Sequence, residues 1–303
     1  MKIAVLGMGG IGGVVGASLA GKYDDIYFIA RGENLKAINR NGLTLKSDRL
    51  GTFTVRPRLA TDNVNDIGTV DALIIATKSY SLEAACVQCM PLIGQNTLVL
   101  PLLNGVSVSD DVESCTGGMG QVADGCIYAF SNIVSPGVVA HIGELCHIDF
   151  GFKDGRKTPE ALELCTMLTE SGIETVLSDD IMVPVWEKYI MMCGNSCVFS
   201  YFECTAGEVH SDSAKSKYIA DVYTELYTIA RACGVNVSDT IVEKYIDTFS
   251  RLPEDAITSL YRDIKSGKAD TEFDAIIGKA YRLSQKTGVD APCIKAVYEK
   301  YKK

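Results

Sequence analysis

The sequence predicts a doubly wound parallel α/β sheet in its first half and an all-α domain in its second half. In the first half, apolar runs of four to seven residues alternate with helical runs, a pattern typical of parallel strands buried on both faces. After Asp180 every segment has apolar residues at helical spacing, and no strand pattern returns. A chain of 303 residues is long enough for two domains. We place the boundary so that the domains are residues 1–178 and 179–303.

The predicted elements of the first half follow one another as strand and helix. The strand–helix pairs are "KIAVLG" with "IGGVVGASLAG", "DIYFIA" with "ENLKAINRNG", "DALIIAT" with "SLEAACVQCM", and "TLVLPLLNG" with "SVSDDVESC". Two further stretches, "LTLKS…GTFTVRPRL" and "VVAHIG…CHIDFGF", are predicted as antiparallel strands added to the same sheet. The run "TPEALELCTMLTESG" is predicted as a helix, because a proline fits the first turn of a helix and a glycine its end. "IETVLSD" is the last predicted strand.

The second half is predicted to consist of helices separated by glycine and proline. The helical patterns cover residues 183–203, 213–233, 238–251, 270–287 and 292–302. Glycines at 234, 267 and 288 and prolines at 253 and 292 separate them.

The composition is that of a globular protein with a sizeable core, since 47% of the residues are hydrophobic and 22% are charged. A net charge of -9 argues against nucleic acid or an anionic membrane as the main partner. We find neither an 18-residue apolar run nor a signal-peptide pattern, so we expect no membrane association and a cytoplasmic location.

The cysteines and histidines do not predict a metal site. Cys86 and Cys89 have C-x-x-C spacing but lie inside a helical run, where cysteine packs as a small apolar residue. A redox or metal site would need a helix N-terminus or a second cysteine pair. The three histidines, His141, His147 and His210, have no metal-ligand spacing.

The segment "GMGGIG" at residues 7–12 fits the dinucleotide-binding pattern G-x-G-x-x-G of Rossmann-type domains, after one strand and at the start of a helix. In that pattern the first glycine (Gly7) permits a tight turn, the second (Gly9) lets the backbone approach the pyrophosphate, and the third (Gly12) allows close helix–strand packing. The helix start favours phosphate groups. The alternative is a glycine-rich turn without a ligand. The predicted cofactor contacts of this loop are Gly7, Met8, Gly9, Gly10, Ile11 and Gly12.

Arg31 follows the second predicted strand, where an NAD-binding unit usually has an acidic residue for the adenosine ribose. NADPH carries a phosphate on that ribose, and a guanidinium offers both charge and a bidentate donor pair for it. Arg31 therefore predicts NADP(H) as the cofactor, with Asn34 and Lys36 as further contacts. The alternative is an exposed arginine without a ligand.

Two polar residues follow the next strands directly. Lys78 comes after "LIIAT" and Asn104 after "LVLPLL". Ligands of open α/β sheets bind at the carboxyl ends of the strands, so both residues are candidate cofactor contacts. The alternative is the ordinary polarity of loops.

Taken together, the glycine loop, Arg31, "ATKSY", "LLNGV", "VWEKY" and "SLYRDIKSGKADTEFDAI" resemble the ketopantoate reductases (2-dehydropantoate 2-reductases) over the whole chain. The resemblance implies a Rossmann-type domain followed by an all-α domain similar to the C-terminal domain of 6-phosphogluconate dehydrogenase. It also implies NADPH-dependent reduction of the 2-keto group of ketopantoate to pantoate, a step toward pantothenate and coenzyme A.

The resemblance also implies roles for individual residues. The lysine of the W-x-K motif, Lys188, corresponds to the proton donor of the family. The family's other cofactor contacts fall on Lys78, Asn104, Ser131 and Glu272. The substrate-binding residues assigned on this basis are Asn104, Asn195, Ser196 and Ser259.

The substrate half of the pattern departs from the family. The family often has asparagines four and eight residues after the catalytic lysine, where this chain has Met192 and Ser196, with Asn195 one position out of register. Another family asparagine is replaced by Ala206, and "KSGKADTE" is one residue longer than the family pattern. These departures leave open a paralogue that reduces a different 2-keto acid or ketone.

Reduction of a ketone needs a hydride and a proton, and NADPH supplies only the hydride. Lys188, near the start of the all-α domain, is the predicted acid; the alternative is a lysine that pairs with Glu187 or lies on an exposed helix face. Other functions left open are a dehydrogenase of a 3-hydroxy acid, 6-phosphogluconate or an opine, and an NADPH-sensing protein without catalysis. The apolar helix faces of residues 179–303 are compatible with a homodimer. We predict residues 179–303 to be a substrate-binding and dimerisation domain, with the substrate role resting on the resemblance.

Overall fold

The computed structural model describes residues 1–302. The chain divides into two compact units. The first contains Met1–Leu103 and Ser107–Ile181, and the second contains Asn104–Val106 and the residues from Met182 onward.

The first unit alternates strands and helices. Its elements are β1 (Ile3–Leu6), α1 (Gly10–Ala20), β2 (Ile26–Ile29), α2 (Gly32–Asn41), β3 (Leu43–Ser47), β4 (Gly51–Val55), β5 (Leu59–Thr61), β6 (Val70–Ile75), α3 (Leu82–Cys89), β7 (Ile93–Pro101), α4 (Val108–Thr116), β8 (Gln121–Val122), β9 (Asp124–Ser135), β10 (Val138–Gly151), α5 (Pro159–Glu170) and β11 (Glu174–Leu177). Single 3-10 turns lie at Val64–Asp66, Ser79–Ser81 and Met90–Leu92.

The predicted doubly wound parallel sheet is confirmed. Six strands pair in the order β5-β2-β1-β6-β7-β8, and every pair is parallel. Apolar runs predicted four of these strands, β1, β2, β6 and β7, and they are buried; Ile3, Ala4 and Val5 of β1 have no exposed surface. The short strands β5 and β8 were not predicted as members of this sheet. The strand order reverses between β1 and β6, which is where ligands of such sheets bind.

The other predicted strands do not join this sheet, so that part of the prediction is wrong. They form a second sheet with the order β11-β10-β3-β4, in which β9 also pairs with β10. The pairs β9–β10 and β3–β4 are antiparallel, whereas β10 is parallel to β3 and β11. Strand β9 was not predicted at all.

The reason for a separate sheet lies in α1. This helix is apolar on all faces, and Gly12 to Leu19 are buried without interruption. Its core cluster contains residues of the first sheet, such as Ile3 and Ala72, together with Leu45 and Val139 of the second sheet. A helix that is apolar all round needs cover on both sides, and the second sheet provides the cover that the first cannot.

The second unit consists of helices, which confirms the predicted all-α class. They are α6 (Met182–Phe202), α7 (Ala206–His210), α8 (Ser213–Ala232), α9 (Ile241–Ser250), α10 (Ser259–Lys265), α11 (Lys279–Thr287), which follows a π-helical turn at Asp274–Gly278, and α12 (Pro292–Tyr301). The prediction missed α7 and α10, because five and seven residues are too few to show a helical period. Across residues 1–302, none of the helices combines the length and the apolar character needed to cross a bilayer.

Helix α6 lies at the centre of this unit and carries the W-x-K motif. The hydroxyl of Tyr189 donates to the carbonyl of Ile276 at 2.5 Å, and the thiol of Cys193 donates to the same carbonyl at 3.6 Å. Ile276 lies in the π-helical turn, where the ordinary hydrogen-bond ladder of a helix is interrupted. These bonds tie the segment after Glu272 to the helix of Lys188.

Candidate active site

The glycine loop has the geometry that its sequence pattern requires. Gly7 has φ of +91°, a conformation that favours glycine, and a Cβ there would lie 2.9 Å from the carbonyl oxygen of Ala76. A Cβ on Gly12 would lie 2.1 Å from the carbonyl oxygen of Gly7. The close approach of β1 and α1 therefore depends on both glycines.

One side of the loop, at Gly9, faces open space. A Cβ on Gly9 would meet no atom within 4 Å, so nothing in the protein fills that side. The first i to i−4 backbone hydrogen bond of α1 runs from Gly13 N to Gly9 O at 2.8 Å. The amides of residues 10–12 lie before this bond, in the first turn of the helix. Such amides at a helix start bind phosphate. The side chain of Met8 is buried, so this residue offers only its backbone.

Arg31 is exposed and lies two residues after β2, where it is the N-cap of α2. Its guanidinium donates to Oε1 of Gln88, and Nε2 of Gln88 donates to the carbonyl of Asp62 at 3.1 Å. Gln88 was missed by sequence reasoning. It lies in the helical run around the C-x-x-C spacing, and no local pattern connects it with a residue 57 positions earlier.

The two residues expected to assist Arg31 are engaged elsewhere. Asn34 donates through Nδ2 to the carbonyl of Met8 and accepts from the amide of Gly137, both at 2.8 Å. It therefore joins the glycine loop to the β9–β10 turn. Lys36 pairs with Glu33 at 2.7 Å on the exposed side of α2.

Two hydroxyls lie against the glycine loop, and a lysine follows at the sheet edge. Ser131 of β9 packs on the start of α1, since a Cβ on Gly10 would lie 2.6 Å from its carbonyl oxygen. The methyl group of Thr77 would be 3.0 Å from a Cβ on Gly7. Within the described part of the chain, neither hydroxyl has a hydrogen-bond partner, and both are buried. Lys78 is exposed at the carboxyl end of β6, before the 3-10 turn.

In the helical unit, the structure brings together two of the predicted residues. Nζ of Lys188 donates to Oδ1 of Asn104 at 3.1 Å, although the residues are 84 positions apart. Asn104 belongs to the short segment that clusters with this unit. The alternative partner of Lys188, Glu187, instead pairs with Lys244 at 3.5 Å.

The predicted substrate residues have different surroundings. Asn195 is half-buried, and its Oδ1 accepts from the hydroxyl of Tyr223. Ser196 is fully buried, and its hydroxyl has no partner within residues 1–302. Ser259 is exposed at the first position of α10. Glu272 is buried just before the π-helical turn, and its carbonyl accepts from Ile276 N at 3.0 Å.

The thiols of the C-x-x-C spacing behave as apolar groups. Cys86 and Cys89 have no exposed surface. Burial raises the pKa of both thiols to about 12, so they are neutral at physiological pH. No group of three or more His, Cys, Asp or Glu side chains in residues 1–302 is arranged to hold a metal ion.

Comparison with models of known families matches both parts of the chain. Residues 3–155 match the family described as "Ketopantoate reductase PanE/ApbA", and residues 180–303 match "Ketopantoate reductase PanE/ApbA C terminal". Among curated proteins, "Uncharacterized oxidoreductase YkpB" of Bacillus subtilis is 25% identical over 98% of this chain and 97% of that protein. A 2-dehydropantoate 2-reductase of Mesorhizobium japonicum is 26% identical over 98% and 95%.

Solved structures share the fold over almost the whole chain. A 2-dehydropantoate 2-reductase of Porphyromonas gingivalis has a TM-score of 0.85 at 27% identity, covering 99% of this chain and 98% of that one. A D-mandelate dehydrogenase with NADH and anilino(oxo)acetate has a TM-score of 0.84 at 24% identity, with 99% and 96% covered. A dimeric ketopantoate reductase of Staphylococcus aureus has a TM-score of 0.81 at 19% identity, with 99% and 97% covered.

Proposed function

Because the chain belongs to the ketopantoate reductase family of oxidoreductases, we propose that it is an NADPH-dependent reductase of a 2-keto acid, with ketopantoate as its first candidate substrate. Reduction of ketopantoate would yield pantoate for pantothenate and coenzyme A. The hydrogen bond from Lys188 Nζ to Asn104 Oδ1 at 3.1 Å supports the proposal most directly, because the lysine that matches the family's acid contacts a second polar residue of the family pattern.

The glycine loop fits a dinucleotide cofactor. The open side of Gly9 and the amides of residues 10–12 suit the pyrophosphate, and Arg31 suits an adenosine 2′-phosphate. Lys78, Ser131 and Glu272 are proposed as further cofactor contacts. When bound, the reduced cofactor supplies the hydride for C2 of the keto acid.

The acid in this proposal is Lys188. Its ammonium delivers a proton to the keto oxygen as negative charge develops there, and its positive charge stabilises the alkoxide. Asn104 holds Nζ by accepting one of its three N–H donors. We propose that four residues bind the substrate, as the resemblance implies: Asn104, Asn195, Ser196 and Ser259.

NADPH is proposed over NADH because of Arg31, which offers a 2′-phosphate two donors in a fixed fork. The D-mandelate dehydrogenase structure that shares this fold contains NADH, so both cofactors need to be measured. We further propose that residues 1–178 bind the cofactor and that residues 179–303 bind substrate and form a homodimer, as the Staphylococcus aureus relative is dimeric. The cytoplasmic location stays a prediction.

A second candidate is the reductase of a less polar 2-keto acid. Ala206 replaces a family asparagine and is fully buried, as is Ser196, while Met192 is half-buried on α6. A site without those amides leaves fewer buried donors unpaired when the substrate lacks a hydroxyl group. The contact between Lys188 and Asn104 gives no support to the alternative of an NADPH-sensing protein without catalysis, because such a protein would not need the proposed acid.

The test is oxidation of NADPH and of NADH with a panel of 2-keto acids that includes ketopantoate and branched or aromatic members. We expect turnover with NADPH and at least one 2-keto acid, and a higher kcat/KM with NADPH than with NADH. Preference for a branched or aromatic member would favour the second candidate. Tight NADPH binding without turnover on any member would contradict the reductase and favour the sensor.

A further inference from the structure

Asn195 shares the helix face of Lys188, although it is out of register with the family pattern. Successive residues of an α-helix are turned by about 100°, so a residue seven positions on lies about 20° from the starting direction and one eight positions on about 80°. Asn195 is the seventh residue after Lys188 and Ser196 the eighth. Exposure agrees, because Lys188 and Asn195 are half-buried whereas Ser196 is fully buried.

Tyr223 of α8 holds the amide of Asn195. Its hydroxyl donates to Oδ1 of Asn195, and its side chain has no exposed surface. The ring packs directly on the backbone of α6, since a Cβ on Gly194 would lie 2.3 Å from Cε1 of Tyr223. Burial raises the pKa of Tyr223 far above its usual range, so the hydroxyl keeps its proton and remains a donor.

A donor on Oδ1 determines what the amide offers to a ligand. The amide of asparagine has one acceptor oxygen and two N–H donors on Nδ2. Because the hydroxyl of Tyr223 fixes the oxygen on the side of α8, the N–H donors of Nδ2 are directed away from Tyr223 and can serve a ligand. Such donors suit a carboxylate or another acceptor oxygen.

We propose that Tyr223 is a positioning residue whose hydroxyl orients the Asn195 amide, so that Nδ2 donates to an acceptor oxygen of the bound 2-keto acid. The pair Asn195–Tyr223 takes over the substrate contact that the family pattern assigns to asparagines at positions 192 and 196. This proposal rests on the proposed function, because it needs a keto acid as ligand.

The test is a double-mutant cycle of Tyr223→Phe and Asn195→Ala. Each protein is loaded with the oxidised dinucleotide, which cannot reduce the substrate, and the Kd of the keto acid that binds best is measured by calorimetry. The Kd of the dinucleotide, the kcat and the melting temperature are measured beside it. Tyr227→Phe is the matched control, since Tyr227 lies on the same helix and its hydroxyl donates to Asp239 at 2.7 Å on the surface.

We expect Tyr223→Phe to weaken keto acid binding by about 3- to 10-fold, the usual value of one neutral hydrogen bond. KM should rise similarly, while kcat, dinucleotide affinity and the control should stay within about twofold of wild type. In the Asn195→Ala background the effect should vanish, because residues that act through one contact are not additive.

A Tyr223→Phe protein that binds the keto acid like wild type would overturn the proposal. It would also be overturned if Tyr223→Phe weakened binding equally in both backgrounds, since the role would then be structural. A wild-type protein that binds a keto acid without turning it over would refute the reductase, and the cycle would still decide the role of Tyr223. If the wild type bound none of the keto acids, both proposals would fail.

Discussion

Nζ of Lys188 donates to Asn104 at 3.1 Å, and the proposed reductase uses this ammonium as its acid. Replacing Lys188 by alanine would remove the proposed proton donor and its charge and leave the glycine loop unchanged. We expect Lys188→Ala to lower kcat by about 10²- to 10⁴-fold, the usual contribution of a positioned acid, with little change in NADPH affinity. Steady-state kinetics on the best 2-keto acid, together with a direct measurement of the NADPH Kd, checks this.

Two variants control that experiment. Lys188→Arg should restore little activity, because a guanidinium stays protonated and cannot deliver a proton at neutral pH. Lys244→Ala removes a lysine that pairs with the neighbouring Glu187, and it should keep kcat within about twofold of wild type. Wild-type turnover in Lys188→Ala would mean that the acid lies elsewhere.

In the proposed function, Arg31 decides between NADPH and NADH. Arg31→Asp would remove the proposed charge-assisted contact to the 2′-phosphate and add repulsion, so NADPH binding should weaken by about 2–4 kcal/mol. NADH binding should change little. The comparison of both Kd values with those of Arg58→Asp is the control, because Arg58 is exposed and its amide donates to Ile26 at the opposite end of β2. Equal NADPH affinities in wild type and Arg31→Asp would exclude Arg31 as the phosphate contact.

Among the structural elements, the β1–α1 junction contains two glycines with different proposed roles. Gly9 leaves room for a ligand, and Gly12 allows the helix to pack closely on the strand. Gly9→Ala places a methyl group in open space, so the fold should persist while NADPH affinity falls, because the pyrophosphate needs that space. Gly12→Ala places its methyl group 2.1 Å from the carbonyl oxygen of Gly7. Overpacking of this kind costs about 1–3 kcal/mol or more. Thermal unfolding and NADPH titration of both variants distinguish the two roles.

The opposite pattern would contradict this assignment. Gly9→Ala with wild-type NADPH affinity would show that the cofactor does not approach the loop there. Gly12→Ala with wild-type stability would show that the helix and the strand can separate at little cost.

At the scale of the whole molecule, a buried carboxyl makes stability depend on pH. Asp124 is buried, and burial raises its pKa above the usual 3.8, although the hydroxyl of Ser109 and the ammonium of Lys153 oppose this. Well below pH 3.8 the carboxyl of Asp124 is protonated in both the folded and the unfolded chain, so its ionisation does not change the free energy of unfolding. As pH rises through 3.8 to the raised pKa, the unfolded chain ionises first, so the free energy of unfolding falls.

Asp124→Asn should therefore gain stability relative to wild type as pH rises. The measurement is the urea unfolding free energy of both proteins at pH 4 and pH 8. We expect the difference, variant minus wild type, to be more favourable at pH 8, by up to about 1.4 kcal/mol for each unit of pKa elevation, since the unfolded carboxyl is already partly ionised at pH 4. An equal difference at both values of pH would mean that Asp124 has an ordinary pKa in the folded protein.

Local sequence patterns were enough to predict the parallel sheet, the all-α second half and the glycine loop. The parallel strands follow from short apolar runs, the all-α second half from helical spacing, and the dinucleotide loop from glycines that need a positive φ or a missing Cβ. These features lie within a few residues of one another, so turn chemistry and periodicity specify them. The family followed from the order of such local motifs along the chain.

Contacts between distant residues depend on how the elements pack and could not be predicted from local patterns. Strands β3, β4, β9, β10 and β11 form their own sheet because α1 needs cover on a second side. The contacts Arg31–Gln88, Lys188–Asn104 and Asn195–Tyr223 join residues that are 57, 84 and 28 positions apart. No local pattern specifies such pairs, because the partner of a side chain depends on how complete elements pack around one core.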